Sequence, residues 1–94
     1  MISERAKTIL REKKEVAHYL NQVIEHIDPQ QVILFGSKAR EEADAASDTD
    51  LAIVADHFFD TTEIFGAVDI VDLNRVPENL REEILKEGII LYER

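Results

Sequence analysis

Hydrophobic residues in the first third of the chain recur at the period of a helix. Ile2, Ile9, Val16 and Val23 form one row at seven-residue spacing, and Ala6, Lys13, Leu20 and Ile27 form a second. Together the rows make one apolar stripe, interrupted only by Lys13. The pattern predicts a single long helix over residues 3–27, with Ser3 as its cap and Glu4 in its first turn. Asp28-Pro29 should end it, because the residue before proline is driven out of helical geometry. Such a helix would span roughly 37 Å, more than a domain of this size needs. Two arrangements are then open. The N-terminal half projects and packs on another chain, or the whole helix lies across its own sheet.

Beyond Pro29 the period shortens. Gln31–Phe35 (QVILF) is apolar after its first residue and rich in β-branched side chains, which suits a buried strand. Gly36-Ser37 ends it, and good helix formers follow from Lys38 to about position 43, then a loop over 45–47. Residues 48–55 (DTDLAIVA) read as a second strand that buries Leu51, Ile53 and Val54. The connection over 56–66 holds three of the four phenylalanines. It suits either one helical turn near Thr61 to Phe65 or part of a hairpin, with Phe58, Phe59 and Phe65 in ordinary core positions. Residues 67–73 (AVDIVDL) form a third strand, with Asp69 and Val71 on one face and Ile70 and Asp72 on the other. Asp72, near the strand end, reads as a capping or solvated residue. Val76-Pro77 opens a last helix whose buried stripe is Leu80, Ile84 and Leu85. Gly88 sits where a left-handed helix cap is expected, and residues 89–92 (IILY) close the chain as a strand. The expected fold is α/β (α+β), a small mixed sheet packed with helices. It forms a single domain over 1–94, comprising an N-terminal helix (1–28) and a core (31–94).

Composition narrows the function. At 45% hydrophobic and 33% charged, the 94 residues can build a core and stay soluble. The absence of cysteine removes disulfides and thiolate metal sites. The chain shows neither a signal-peptide start nor a membrane-length apolar run, so a cytoplasmic protein without membrane contact is expected. A formal net charge of −9 disfavours direct nucleic-acid binding and suits divalent cations or a basic protein partner. The three histidines have no ligand-like spacing and read as surface residues.

The candidate chemistry lies between Gly36 and Asp69. A strand, a glycine turn and a helix start in succession can hold a phosphate oxygen, with Ser37 adding a hydroxyl. A lone glycine–serine pair is ordinarily just a turn. Beyond ten intervening residues after Ser37, however, Asp48 and Asp50 fall on the same face of a strand. Two such carboxylates repel each other unless a cation lies between them. Mg²⁺ usually takes one or two carboxylates plus substrate phosphates. Asp69, an acid inside an apolar strand, is costly to bury without a partner, and a metal on the neighbouring strand would offset that cost. Three carboxylates on adjacent strands beside a phosphate-holding turn point to two-metal phosphoryl transfer.

These stretches resemble a known family. GSKAR is similar to the GSxARG, and SDTDLAIV to the SDxDLxxV, of the minimal nucleotidyltransferase (MNT) family. That family lies within the DNA polymerase β-like nucleotidyltransferase superfamily. VDIVDL followed by LREEILKEGIILYER resembles its C-terminal half, so the likeness covers about residues 31–94. It implies a nucleotidyltransferase fold, with Gly36 and Ser37 on nucleotide phosphates. It further implies Asp48 and Asp50 on two Mg²⁺ ions, Asp69 as the third catalytic and metal-binding acid, and Arg40 either structural or near the phosphates. It also implies an antitoxin of a HEPN/MNT pair, which transfers AMP from ATP to a tyrosine of its HEPN toxin. An antitoxin that neutralises by binding alone is the alternative reading, and a small-molecule nucleotidyltransferase is a third. The chain could associate with itself or with the toxin. Two departures stand out. Glu41 replaces the family's usual glycine, and only twelve residues separate Asp56 from Asp69, where most members have a longer helical segment. The short connection leaves apolar surface to be covered by the first helix or by another subunit.

Overall fold

A computed structural model describes residues 2–42 and 47–94. Four helices and four strands follow one another in the order α1 (Glu4–Glu12), α2 (Lys14–Ile27), β1 (Gln31–Phe35), α3 (Gly36–Ala39), β2 (Thr49–Val54), β3 (Val68–Asp72), α4 (Glu78–Glu87) and β4 (Ile89–Glu93) among the described residues. The expected loop positions 45 and 46, and residue 43, lie outside them. No helix among the described residues is long and apolar enough to cross a membrane.

The expected single N-terminal helix is two. Ser3 caps α1 by accepting the Ala6 N–H, as its sequence position suggested. The helix then breaks at Lys13, which leaves helical geometry at φ −107°, ψ 89°. Lys13 is the one stripe position that cannot enter an apolar core, so the chemical interruption becomes a structural one. A straight helix of that length would also overrun a body of 31 × 28 × 27 Å. The break folds α1 back onto α2 and β4 while α2 packs on β2. Both helices therefore lie over the chain's own sheet rather than projecting. Asp28, in the left-handed region at φ 54°, ends α2 ahead of Pro29.

The sheet order is β3-β2-β1-β4, with β1 antiparallel to β2 and β4, and β2 parallel to β3. Strand alternation separates two cores. Val32, Leu34, Leu51, Ile53, Ile89 and Leu91 face α1 and α2. Ile33 and Ala52 face α4, where Ile84 is buried against them. Each fully buried aliphatic side chain contributes about 1.5–3 kcal/mol by leaving water.

Parallel pairing of β2 and β3 rules out a hairpin over 56–66. The connection is a crossover with one turn, closed by the Ile64 N–H donating to the Thr61 carbonyl. Only Phe59 of the three phenylalanines there packs on the core. Phe58 and Phe65 are 75% and 80% exposed, contrary to the core reading, because so short a crossover cannot fold back over the sheet. Phe58 instead stacks beneath the Arg75 guanidinium, 4.9 Å from the ring centre. Leu85 is also corrected: it is 56% exposed, and Leu80 and Ile84 alone face the sheet from α4. Asp72 caps the turn after β3, accepting the Asn74 N–H.

Gly88 does not adopt the expected left-handed cap; its φ is −71°. Its requirement is space, since a Cβ there would run into Ile33 Cγ2 and the Ile84 carbonyl. Gly88→Ala is therefore expected to destabilise the protein by about 1–3 kcal/mol. Urea unfolding measures this, and an unchanged midpoint would contradict the packing argument.

Candidate active site

The glycine turn and the acidic strand meet directly. Gly36 begins α3, a four-residue helix that starts two residues before the expected Lys38. Its φ of +74° is one that side chains rarely adopt. Its open face is filled by Asp50, whose Oδ2 occupies the place a Cβ would need. Gly36 is thus needed both for its backbone conformation and for the approach of that carboxylate.

Asp50 lies on β2, opposite Phe35 of β1 and opposite Asp69 of β3. Parallel neighbours lie about 4.8 Å apart, so the two carboxylates project side by side. By alternation with Ala52 and Val71 they share the face that carries α4. Asp69 is nevertheless exposed, contrary to the buried-acid reading, because β3 is an edge strand with no neighbour on its far side. Asp48 stands two residues earlier, exposed, just ahead of β2. The structure thus brings Asp48, Asp50 and Asp69 to one end of the sheet beside Gly36. Burial pushes the Asp50 carboxyl above the ordinary carboxylate range, and the charges of Asp69 and Asp48 push it further; Arg40 and Lys38 pull the other way. This is the electrostatic state of an anionic site that favours a cation.

The donor set is all carboxylate oxygen, which suits Mg²⁺ or a similar hard divalent ion. Among the described residues no three His, Asp or Glu side chains close into a metal cage. Asp48, Asp50 and Asp69 therefore make no three-carboxylate cage in this structure; one or two of them with phosphate and water would be the usual Mg²⁺ shell.

Arg40 ends α3 and is exposed. Its Nε donates to Glu42 Oε1 at 3.1 Å, and its Nη1 lies 3.7 Å from Glu87 Oε2. It thereby links α3 to the end of α4, bordering a cavity of about 140 Å³ shared with Phe35, Gly36, Leu80 and Glu83. Exposed pairs of this kind contribute little and can exchange partners. Ser37 follows Gly36 on α3 and is half-buried.

Glu41 is in the left-handed region at φ 61°. The residue that departs from the family glycine therefore sits in a conformation glycine favours. Glu41→Gly is expected to stabilise the protein by about 0.5–1 kcal/mol, as relief of strain exceeds the added chain entropy. Thermal unfolding checks this, and a lower midpoint in the variant would refute it.

Two residues that sequence reasoning passed over also shape the site. The Tyr19 hydroxyl accepts the Ala67 N–H at 2.9 Å and packs against Gly66, fixing the start of β3 two residues before Asp69. Lys38 is buried behind Gly36. Neither has a local pattern to reveal it, because both act across the fold.

Comparison with known proteins bears on the fold and the family. In fold the chain is similar to a toxin–antitoxin crystallised with AMP-PNP, with a TM-score of 0.71 and 22% identity over 84% of this chain and 73% of that one. It is likewise similar to the MntA–HepT toxin–antitoxin, with a TM-score of 0.65 and 20% identity over 88% of this chain and 74% of that one. No curated protein matches the chain. The family described as polymerase beta, nucleotidyltransferase matches residues 14–94. The chain belongs to that nucleotidyltransferase family.

Proposed function

We propose that the protein is an Mg²⁺-dependent nucleotidyltransferase that transfers AMP from ATP to a hydroxyl, a tyrosine by preference, of a partner HEPN-type toxin, and so acts as its antitoxin. The observation that carries this reading is the register of Asp50 against Asp69, with Asp50 seated on the open face of Gly36. Support also comes from the likeness in fold to toxin–antitoxins, one of them solved with AMP-PNP.

In this reading Asp48, Asp50 and Asp69 would hold two Mg²⁺ ions. The ions, when bound, supply neutralisation of phosphate charge and a more acidic acceptor hydroxyl. Gly36 and Ser37 orient the phosphates from one side, with a backbone N–H and a hydroxyl as donors. Arg40 can leave Glu42 and Glu87 for a phosphate oxygen at small cost, because its pairs are exposed. Asp69 takes the acceptor proton as the hydroxyl oxygen bonds to the α-phosphorus and pyrophosphate departs. The acidic surface would suit a basic partner face and the cytoplasm.

Neutralisation of the toxin separates this reading from one of binding alone. Wild-type protein and Asp48→Ala are compared for relief of the partner's toxicity when co-expressed. Loss of relief in the variant, with co-purification retained, is the expected result. Full relief by the variant would favour binding alone.

A further inference from the structure

We infer that the protein has a second anion site, on the side of α3 away from the carboxylates, for a phosphate-bearing ligand of about pyrophosphate size. A cavity of about 380 Å³ opens there, within the range of small-molecule sites. It lies against α1, the break at Lys13 and α3, and shares no residue with the cavity beside Gly36 and Arg40. Ile9, on its wall, belongs to the core under α1 and α2, whereas the carboxylates share the face of α4.

Three cations meet in this cavity: Arg5, Lys13 and Lys38. That is notable in a chain with only 11 Lys and Arg against 20 Asp and Glu. Among the described residues none of the three forms an ion pair with a carboxylate. Arg5 spends one Nη2 hydrogen bond on the Ala39 carbonyl at 2.5 Å, which holds its guanidinium at the α3 end of the cavity. Lys38 is only 4% exposed. The Asp50 carboxylate lies within electrostatic reach of Lys38, and an oxyanion in the cavity would add a second counter-charge on its other side. Thr8 adds a hydroxyl donor. An arginine fork with two ammonium groups suits phosphate oxygens.

The same account explains the helix break. A continuous helix would keep Lys13 in the apolar stripe, whereas the break lets it line the cavity. Glu12 and Glu41 also line the cavity and oppose an anion. They limit affinity, and they give the proposal a sign that can be tested.

The ligand chemistry could come from free pyrophosphate or from the phosphate tail of a nucleotide. Titration of the full chain with pyrophosphate, in chelator and without divalent metal, tests the site by calorimetry. Saturable binding to the wild type is expected. It should weaken about tenfold or more in Arg5→Gln and in Lys13→Gln, each of which loses a charge-assisted contact. It should tighten in Glu41→Gly, be at least as tight in Asp50→Asn, which removes a carboxylate that Lys38 feels, and stay unchanged in Lys14→Gln. Thermal unfolding of each variant establishes that it is folded. A parallel titration with ADP assigns the source: competition with pyrophosphate at similar affinity means a nucleotide tail, and pyrophosphate binding alone means the free anion. Absence of pyrophosphate binding, binding indifferent to Arg5 and Lys13, or binding lost in Asp50→Asn would overturn the proposal. None of these outcomes depends on AMP transfer, so the test is separate from that of the proposed function.

Discussion

Replacing Asp50 with asparagine should abolish AMP transfer, by a factor on the order of a thousand, and at the same time stabilise the metal-free protein at neutral pH. Under the proposed function, the first effect follows from losing a carboxylate charge that would hold the metal beside the reacting phosphate. The second follows from the environment of the carboxyl. Burial, then Asp69, then Asp48 hold its pKa above the ordinary value. An acid whose pKa is raised by folding is disfavoured when charged in the folded state. The penalty is absent below the ordinary carboxylate pKa of about 3.9 and grows as pH rises through the raised value. At neutral pH it is fully present, and asparagine removes it. Melting in chelator should therefore show a higher midpoint for the variant near neutrality and no difference at about pH 3. A variant that melts lower at neutral pH would contradict this electrostatic description of the site.

Gly36→Ala should combine a loss of stability with a loss of transfer. The backbone there is left-handed at φ +74°, which disfavours any L side chain by about 1–2 kcal/mol. The new methyl would also overlap the Asp50 carboxylate, and overpacking of this kind costs about 1–3 kcal/mol. A combined destabilisation of about 2–4 kcal/mol is expected in urea unfolding. Transfer per folded molecule should fall as well, because Asp50 must leave its seat opposite Asp69. Gly88→Ala is the comparator. It crowds Ile33 and Ile84 rather than an acid, so it should lose stability and keep its transfer rate per folded molecule. Equal transfer rates in the two glycine variants would show that Asp50 does not depend on Gly36.

What the sequence made legible was local or periodic. Three features could be read from the hydrophobic pattern alone: the apolar run of β1, the shared face of Asp69 and Val71, and the break in the N-terminal stripe at Lys13. Asp50 was legible because a carboxylate inside DTDLAIV contradicts its apolar neighbours; Asp69 was picked out on the same ground, yet it is exposed on the edge strand β3, so no burial cost marks it. The features that escaped depend on distant parts of the chain. One polar residue in a helical stripe does not by itself decide between a surface helix and a broken one. The span of the sheet, and the cavity into which Lys13 turns, decide it. Phe58 and Phe65 look like core by composition, but the crossover is too short to bring them back over the sheet. Gly88 occupies a cap position, yet its need is for room against Ile33, which no local pattern encodes. Glu41 was visible as a departure from a glycine, and its positive φ shows what that glycine is for.

The central claim is that Asp48, Asp50 and Asp69 form a centre that moves AMP onto a partner. Intact-mass measurement of the protein encoded by the neighbouring gene, after incubation with this chain, ATP and Mg²⁺, tests it most directly. The predicted result is a mass increase in whole AMP units that is absent with Asp50→Asn or with chelator. An unmodified partner whose toxicity is nevertheless relieved by both the wild type and Asp50→Asn would contradict the claim.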